Sequence, residues 1–369
     1  MNQEEREMLQ DSARSFISEC SPLASLRAIR DGADMRGYHP EFWRQACALG
    51  WSGITAPVAS GGSELGVTGA GIVAREMGRR LVLSSFISSS VMSVMALSGV
   101  EGVAEDRLAR IATGDASVAV AVEHISIQQG QRLKARRGKD GYNLTGTLAA
   151  VPDGHIADAL FVAATADDEG QEPLLFLVEG IPEGLIRQVR KLVDGRRVCD
   201  LHLEGIPAGA PLSLKSGQAP RELVERVLDA GRICVAARLC GTAEAAFERT
   251  LDYLKERQQF GRPIGSFQAL QHRAAHLHCQ IEDAWSATLK AMRAFDDEAT
   301  DRAFTTAVAK AKASDVACRV TAECLQLHGG IGMTDECDIG LYLKYAHVDA
   351  EWLGSVTFHT DRVARHLGY

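Results

Sequence analysis

The chain has 369 residues, 46% hydrophobic and 24% charged, which is enough apolar material for several cooperating layers without covalent staples. Lys plus Arg at 40 against Asp plus Glu at 48 leaves a net charge of -8, the wrong sign for a nucleic-acid backbone, so no nucleic acid is expected as a partner. The nine cysteines are scattered and never spaced C-x-x-C, which speaks against a disulfide framework or a cysteine zinc site; with the acidic start Glu4, Glu5, Glu7 they predict a reducing, cytoplasmic location.

From Glu4 to about Gly114 apolar residues recur at helical intervals, interrupted at Asp31-Gly32-Ala33 and Gly61-Gly62-Ser63, and an N-terminal α-helical domain is predicted over residues 1–114. Its most hydrophobic stretch, Leu81 to Val100, is laced with serines, among them Ser84, Ser85, Ser88, Ser89, Ser90, Ser93 and Ser98. That is too polar for a bilayer span, so a buried helix of small residues is expected and no membrane partner.

Between Ser117 and Leu214 the period shortens to that of strands: Ser117–Val122, Tyr142–Thr145, Ala159–Ala163, Leu174–Val178 and Asp200–Leu203, with turns at Gly138–Gly141 and Pro152–Gly154. A central small antiparallel β-barrel or sheet domain is predicted over 115–215. After Pro211 and Pro220 the helical period returns. Ala243, Ala246, Phe247, Thr250, Leu251 and Leu254 form one stripe on a helix ending near Arg257; a second stripe runs Leu270, Leu277, Ile281, Trp285, Leu289; a third covers about Arg302 to Leu327. A C-terminal four-helix bundle over 216–369 completes a mainly α fold with a β domain.

Two helix ends carry the chemistry. In Arg257-Gln258-Gln259-Phe260-Gly261-Arg262-Pro263-Ile264-Gly265-Ser266-Phe267-Gln268, glycines and a proline force a tight link that exposes a planar cation, an apolar ring and neutral amides. In Gln326-Leu327-His328-Gly329-Gly330-Ile331-Gly332, glycines allow positive φ and close approach of main chain to a ligand, although such a terminus is by itself an ordinary helix cap. His328 could serve cofactor contact or packing. His272 and His276 lie four apart on one helix face, but no third ligand accompanies them, and no metal site is expected.

Taken together, the two segments resemble the R-x-x-F-G-x-x-I-x-x-F-Q and Q-x-x-G-G-x-G turns of acyl-CoA dehydrogenases, and the helix, strand, helix order extends the resemblance over nearly the whole chain. The resemblance implies FAD as cofactor, held by Arg257, Gln259, Phe260, Gln268, Gln326, Gly329 and Gly330, with an acyl-CoA substrate and electron-transfer flavoprotein as electron acceptor. It also accounts for the lack of a G-x-G-x-x-G strand-to-helix element.

The pattern breaks where the family places its catalytic Glu, the base that removes the α-proton. Matching Leu341-Tyr342-Leu343-Lys344 and the following segment puts Leu353 at one base position, before Gly354-Ser355, and counting back from the Arg257 turn puts Gly231 at the other; neither accepts a proton. Glu351, with Glu225 and Asp229, is the nearest substitute, and Arg232 matches an arginine that lines the acyl-CoA pocket. The flavin-facing T-E-P and W-I-T segments stand here as Val122-Glu123-His124 and Ala149-Ala150-Val151-Pro152-Asp153-Gly154, without the Trp. These losses resemble the base-less smaller subunits of heteromeric bacterial acyl-CoA dehydrogenases for steroid-type acyl-CoA. The implied assembly is a heterotetramer with a homologous subunit; a homotetramer with a displaced base, a flavin monooxygenase of the same fold and a non-catalytic structural subunit stay open beside it.

Overall fold

The computed structural model describes residues 1–21, 23–32, 34–102, 105–126, 133–166 and 172–369, without the side chains of Glu105, His124, Ile125 and Ser216. The chain forms two compact units. One comprises Met1–Ala28, Val67–Val82 and Arg232–Tyr369, the other Ile29–Gly66 and Leu83–Gly231.

In the first stretch lie α1 (Gln3–Cys20), α2 (Leu23–Asp31), α3 (Pro40–Ala48), α4 (Gly66–Arg79), α5 (Val94–Ser98) and α6 (Glu105–Thr113). Local chemistry sets their starts. Asn2 and Glu5 close a reciprocal capping box at α1, each side chain accepting from the other's backbone N–H at 2.9 and 2.8 Å, and Pro40 opens α3 where its missing N–H costs nothing. The serine-rich stretch is buried as expected, but Phe86–Ser93 is wound as a π-helix ahead of α5. Single π turns are uncommon and concentrate near functional sites.

The β region holds β1 (Val118–Ala121), the short α7 (Glu123–Ser126), β2 (Lys134–Arg137), β3 (Tyr142–Pro152), β4 (Ala159–Ala166), β5 (Leu174–Glu179), β6 (Leu185–Lys191) and β7 (Arg197–Gly209). Their order is β1-β4-β2-β3-β7-β6, with β5 also on β4. The long β3/β7, β6/β7, β2/β3 and β4/β5 ladders are antiparallel, whereas β4 pairs in parallel with both β1 and β2. Leu144, Leu148, Leu160, Val162, Phe176, Leu201, Leu203 and Ile206 fill the core of this curled sheet. Sequence periodicity located five of the seven strands and missed β2 and β6, whose cations, Lys134, Arg136 and Arg137 in one and Arg187, Arg190 and Lys191 in the other, mask the strand signal.

The remaining elements are α8 (Pro220–Glu256), the two-residue strands β8 (Gln258–Gln259) and β9 (Arg262–Pro263), α9 (Gln268–Asp296), α10 (Arg302–His328), α11 (Ile339–Glu351) and α12 (Val356–His366). α8 is buried on every side from Ala230 to Ala243, the signature of a central helix. Within the first unit it meets α4 backbone to backbone. A Cβ on Gly78 would lie 2.0 Å from the Arg238 carbonyl, and one on Gly241 would lie 1.9 Å from that of Arg75, so both positions must be glycine. α10 packs on α9, α11 and α12, completing the helical bundle.

Candidate functional site

The Arg257 segment folds into a two-residue hairpin. Gln259 pairs with Arg262, and the linking residues Phe260 and Gly261 have φ of 54° and 77°. Positive φ at both central residues is the type I′ geometry that matches strand twist. Gly261 adopts it freely; Phe260 carries a Cβ into it at a cost of about 1–2 kcal/mol. Its ring is 90% exposed, touching Phe267 edge-on at 6.1 Å. A strained side chain that buries almost nothing gains no stability from its own chain. Arg257, Gln259 and Gln268 are exposed too, and among the described residues the Arg257 guanidinium has no partner.

The glycine segment lies beside this hairpin. The Tyr253 hydroxyl, one turn before Arg257, donates to the His328 carbonyl at 3.3 Å, and the two rings stack at 4.5 Å. His328 is buried, with Nδ1 2.8 Å from the Cys324 carbonyl, so it packs the two helix ends together. Beyond it the chain turns through Gly329 at φ 65°. Gly330 has no positive φ, and among the described residues beyond its chain neighbours no atom lies within 4 Å of where a Cβ would sit. Nothing among the described residues requires that glycine. Gln326, Gly329 and Gly330 are exposed, bordered by Ile331 and by Met333, which is 75% exposed. One bundle end therefore presents a free guanidinium, a bare phenyl ring, three amides and uncovered main chain, a donor set suited to a diphosphate with an attached nucleoside.

The two base positions differ from this in every respect. Gly231 lies buried inside α8. Leu353, at φ 63° and 0% exposed, follows the end of α11. Its carbonyl accepts from Arg232 Nε at 3.2 Å and from His359 Nε2 at 3.0 Å. Lys310 Nζ donates to the carbonyls of Asp349 (3.2 Å), Ala350 (3.0 Å) and Gly354 (3.1 Å) and to Ser314 Oγ (3.0 Å). The Asp349 carboxylate takes both Nε and Nη2 of Arg238, at 2.7 and 2.6 Å. Groups from α8, α10 and α12 thus tie down the main chain around Leu353.

Electrostatics follow from this burial. Desolvation pulls the Lys310 ammonium down to about 7. Desolvation, and then the charges of Arg232 and Lys310, hold His359 at about 2, so its imidazole is neutral with the proton on Nε2. Arg232, expected as an acyl-CoA contact, has no exposed surface, and the nearest substitute base, Glu351, is exposed on the last turn of α11. Asp229 is buried and Glu225 half-buried, and both have partners. Lys310 was not singled out from sequence. The available signal is its place on the buried stripe of α10, with Thr306, Ala313, Ala317, Val320 and Cys324.

In the other unit, Ala150 near the end of β3 and Asp153 just after it have φ of 55° and 57°. The Asp153 carboxyl accepts from Ser88 and Ser85 of the serine-rich stretch, and burial raises it above the usual carboxylate range. Glu123 follows β1, and the side chain of His124 is outside the described residues. His272 and His276 are exposed on α9, His276 resting against Gln280 at 2.7 Å.

Comparison with known proteins decides the family. The family described as "Acyl-CoA dehydrogenase, C-terminal domain" matches residues 221–368, and "Acyl-CoA dehydrogenase, N-terminal domain" matches residues 3–115. Acyl-CoA dehydrogenase IpdE2 of Mycobacterium tuberculosis is 32% identical over 357 residues, covering 95% of this chain and 94% of that protein. The chain belongs to the acyl-CoA dehydrogenase family. Among solved structures, a variant of the steroid ACAD Tcur3481-Tcur3483 superposes with a TM-score of 0.88 at 29% identity, over 99% of this chain and 98% of that one. The ChsE4-ChsE5 complex of Mycobacterium tuberculosis shares the fold, with a TM-score of 0.86 at 23% identity over 100% of this chain and 98% of that one. The family's arrangement of helices, curled sheet and helical bundle is the one described above, and among the described residues no helix is long and apolar enough to cross a membrane.

Proposed function

We propose that this chain is one subunit of a heteromeric, FAD-dependent dehydrogenase that desaturates a bulky or steroid-type acyl-CoA between its α and β carbons. FAD supplies the hydride acceptor of that reaction. Arg257 would pair with the diphosphate, Gln259, Gln268 and Gln326 would donate to or accept from the nucleotide, Phe260 would cover it, and the main chain at Gly329 and Gly330 would approach it closely. The carrying observation is the contrast between an exposed donor set with no partner among the described residues and a base locus where the Leu353 side chain offers no acceptor. A second, homologous subunit would then bring the carboxylate that takes the α-proton, within hydrogen-bond reach of the α-carbon.

In this reading Arg232 positions the Leu353 segment through its carbonyl rather than touching acyl-CoA. The segments 1–114, 115–215 and 216–369 act as helical, β and bundle domains of a cytoplasmic heterotetramer that passes electrons to electron-transfer flavoprotein. The likeness to a steroid ACAD at 29% identity supports the substrate class. The test is to purify the chain alone and with a homologous second chain, and to measure flavin absorbance and turnover in each. We expect both only in the mixed assembly; full flavin loading and turnover by the lone chain would remove the division of labour.

A further inference from the structure

The unit that contains the sheet holds a cavity of about 130 Å³ lined by Tyr38, Trp43, Ser85, Ser89, Asp115 and Asp158. An apolar cavity of about 150 Å³ accommodates one benzene ring. This one therefore has room for roughly a single six-membered ring, against the apolar walls of Ile111 and Ile156.

Its polar groups divide into spent and unspent. Ser85 is committed to Asp153. Asp158 accepts from the backbone N–H and hydroxyl of Ser117 at 2.8 and 3.1 Å, and Asp115 from the Thr113 hydroxyl at 2.7 Å. Ser89, by contrast, is only 5% exposed, and among the described residues its hydroxyl has no partner. The same holds for the half-buried Tyr38 hydroxyl and the Trp43 indole N–H. Burial raises the Tyr38 phenol, which keeps it a donor.

Three polar side chains with no partner among the described residues thus line a ring-sized space. We propose that this cavity binds the oxygen-bearing ring of a neutral small molecule, a cyclic alcohol or ketone. A hydrocarbon ring would cover the Ser89 and Tyr38 hydroxyls without pairing them, which is unfavourable. Among the described residues no lysine or arginine lines the cavity, so a carboxylate or phosphate would sit uncompensated against Asp115 and Asp158. Assigning that ring to the far end of the acyl group rests on the function proposed above; the binding itself does not.

The experiment uses the full chain as purified, with cyclohexane-1,4-diol, methylcyclohexane, cyclohexylammonium and cyclohexanecarboxylate as probes, followed by ligand-observed NMR and tryptophan fluorescence. The diol should bind at least about fivefold more tightly than methylcyclohexane and cyclohexanecarboxylate. Ser89→Ala and Tyr38→Phe should each weaken it by roughly threefold to tenfold, the range of one neutral hydrogen bond. Trp43→Phe should remove the fluorescence change. Equal or tighter binding of the hydrocarbon, the ammonium or the carboxylate would overturn the proposal. So would unchanged affinity in the Ser89 and Tyr38 variants, or no diol binding by the folded chain. Because these probes report on the cavity irrespective of flavin, a chain that fails to load FAD can still bind the diol, and the two readings fail separately.

Discussion

Replacing Lys310 by Met tests how the corner around Leu353 is held. The side chain is fully buried, and its Nζ meets three main-chain carbonyls and a serine hydroxyl at 3.0–3.2 Å. Met fills similar volume but donates nothing, leaving buried acceptors that cost about 1–3 kcal/mol each, offset by release from burying a cation. The net loss expected in urea unfolding is roughly 2–4 kcal/mol near neutral pH. The pH dependence is more specific. Burial lowers the folded-state value from 10.5 to about 7, so above about pH 7 the folded lysine is neutral while the unfolded one stays protonated. The unfolded state then binds more protons, and stability rises with pH through that window. Between about pH 6.5 and about pH 9 the advantage of the natural chain over Lys310→Met should grow by about 2–3 kcal/mol. A difference that stays flat or shrinks would mean that the surrounding oxygens keep the ammonium charged, and the argument from burial would be wrong.

Three further outcomes concern the bundle end and the base. Arg257→Gln should weaken FAD binding by about tenfold to a hundredfold, the worth of a charge-assisted hydrogen bond, without lowering the melting temperature of the flavin-free protein; equilibrium dialysis and calorimetry check both. Gly330→Val should likewise fold normally, since its φ and surroundings admit a side chain, yet lose flavin; retained flavin would show that its bare main chain serves no ligand. Glu351→Gln should change turnover of the mixed assembly by less than about twofold, whereas a loss of a hundredfold or more, of the size expected for a general base, would identify it as the displaced base.

The layout of the molecule was legible in the sequence because periodicity is a property of single elements. The stripe from Ala243 to Leu254 predicted α8, and Arg302 to Leu327 predicted α10 to within a residue. Cation-rich β2 and β6 escaped, since their burial is decided by neighbours far away in sequence. The same limit hid the corner at Leu353. Its donors, Arg232, Lys310 and His359, are spread over more than a hundred residues, and their acceptors are main-chain carbonyls that have no sequence signature. Motif spacing located the hairpin and the glycine turn, but not that Phe260 is strained and that Gly330 lacks an internal reason, which are properties of folded geometry.

If only a carboxylate were missing, Leu353→Glu should restore a working chain. The replaced side chain is fully buried, and the cations bound to the surrounding main chain, Arg232 at the Leu353 carbonyl and Lys310 at that of Gly354, would offset part of the cost of desolvating the new carboxylate. Folding should therefore survive, with Leu353→Gln as the control for shape alone. We nevertheless expect no turnover from the lone Leu353→Glu chain. Asp153 and Ala150 hold the end of β3 at positive φ, and Val151-Pro152 between them carries neither a side-chain donor nor an aromatic ring, where the family's W-I-T segment has both. Acyl-CoA oxidation by that single substitution, followed with a dye acceptor, would show that this chain retains a complete flavin-facing surface and needs no second subunit.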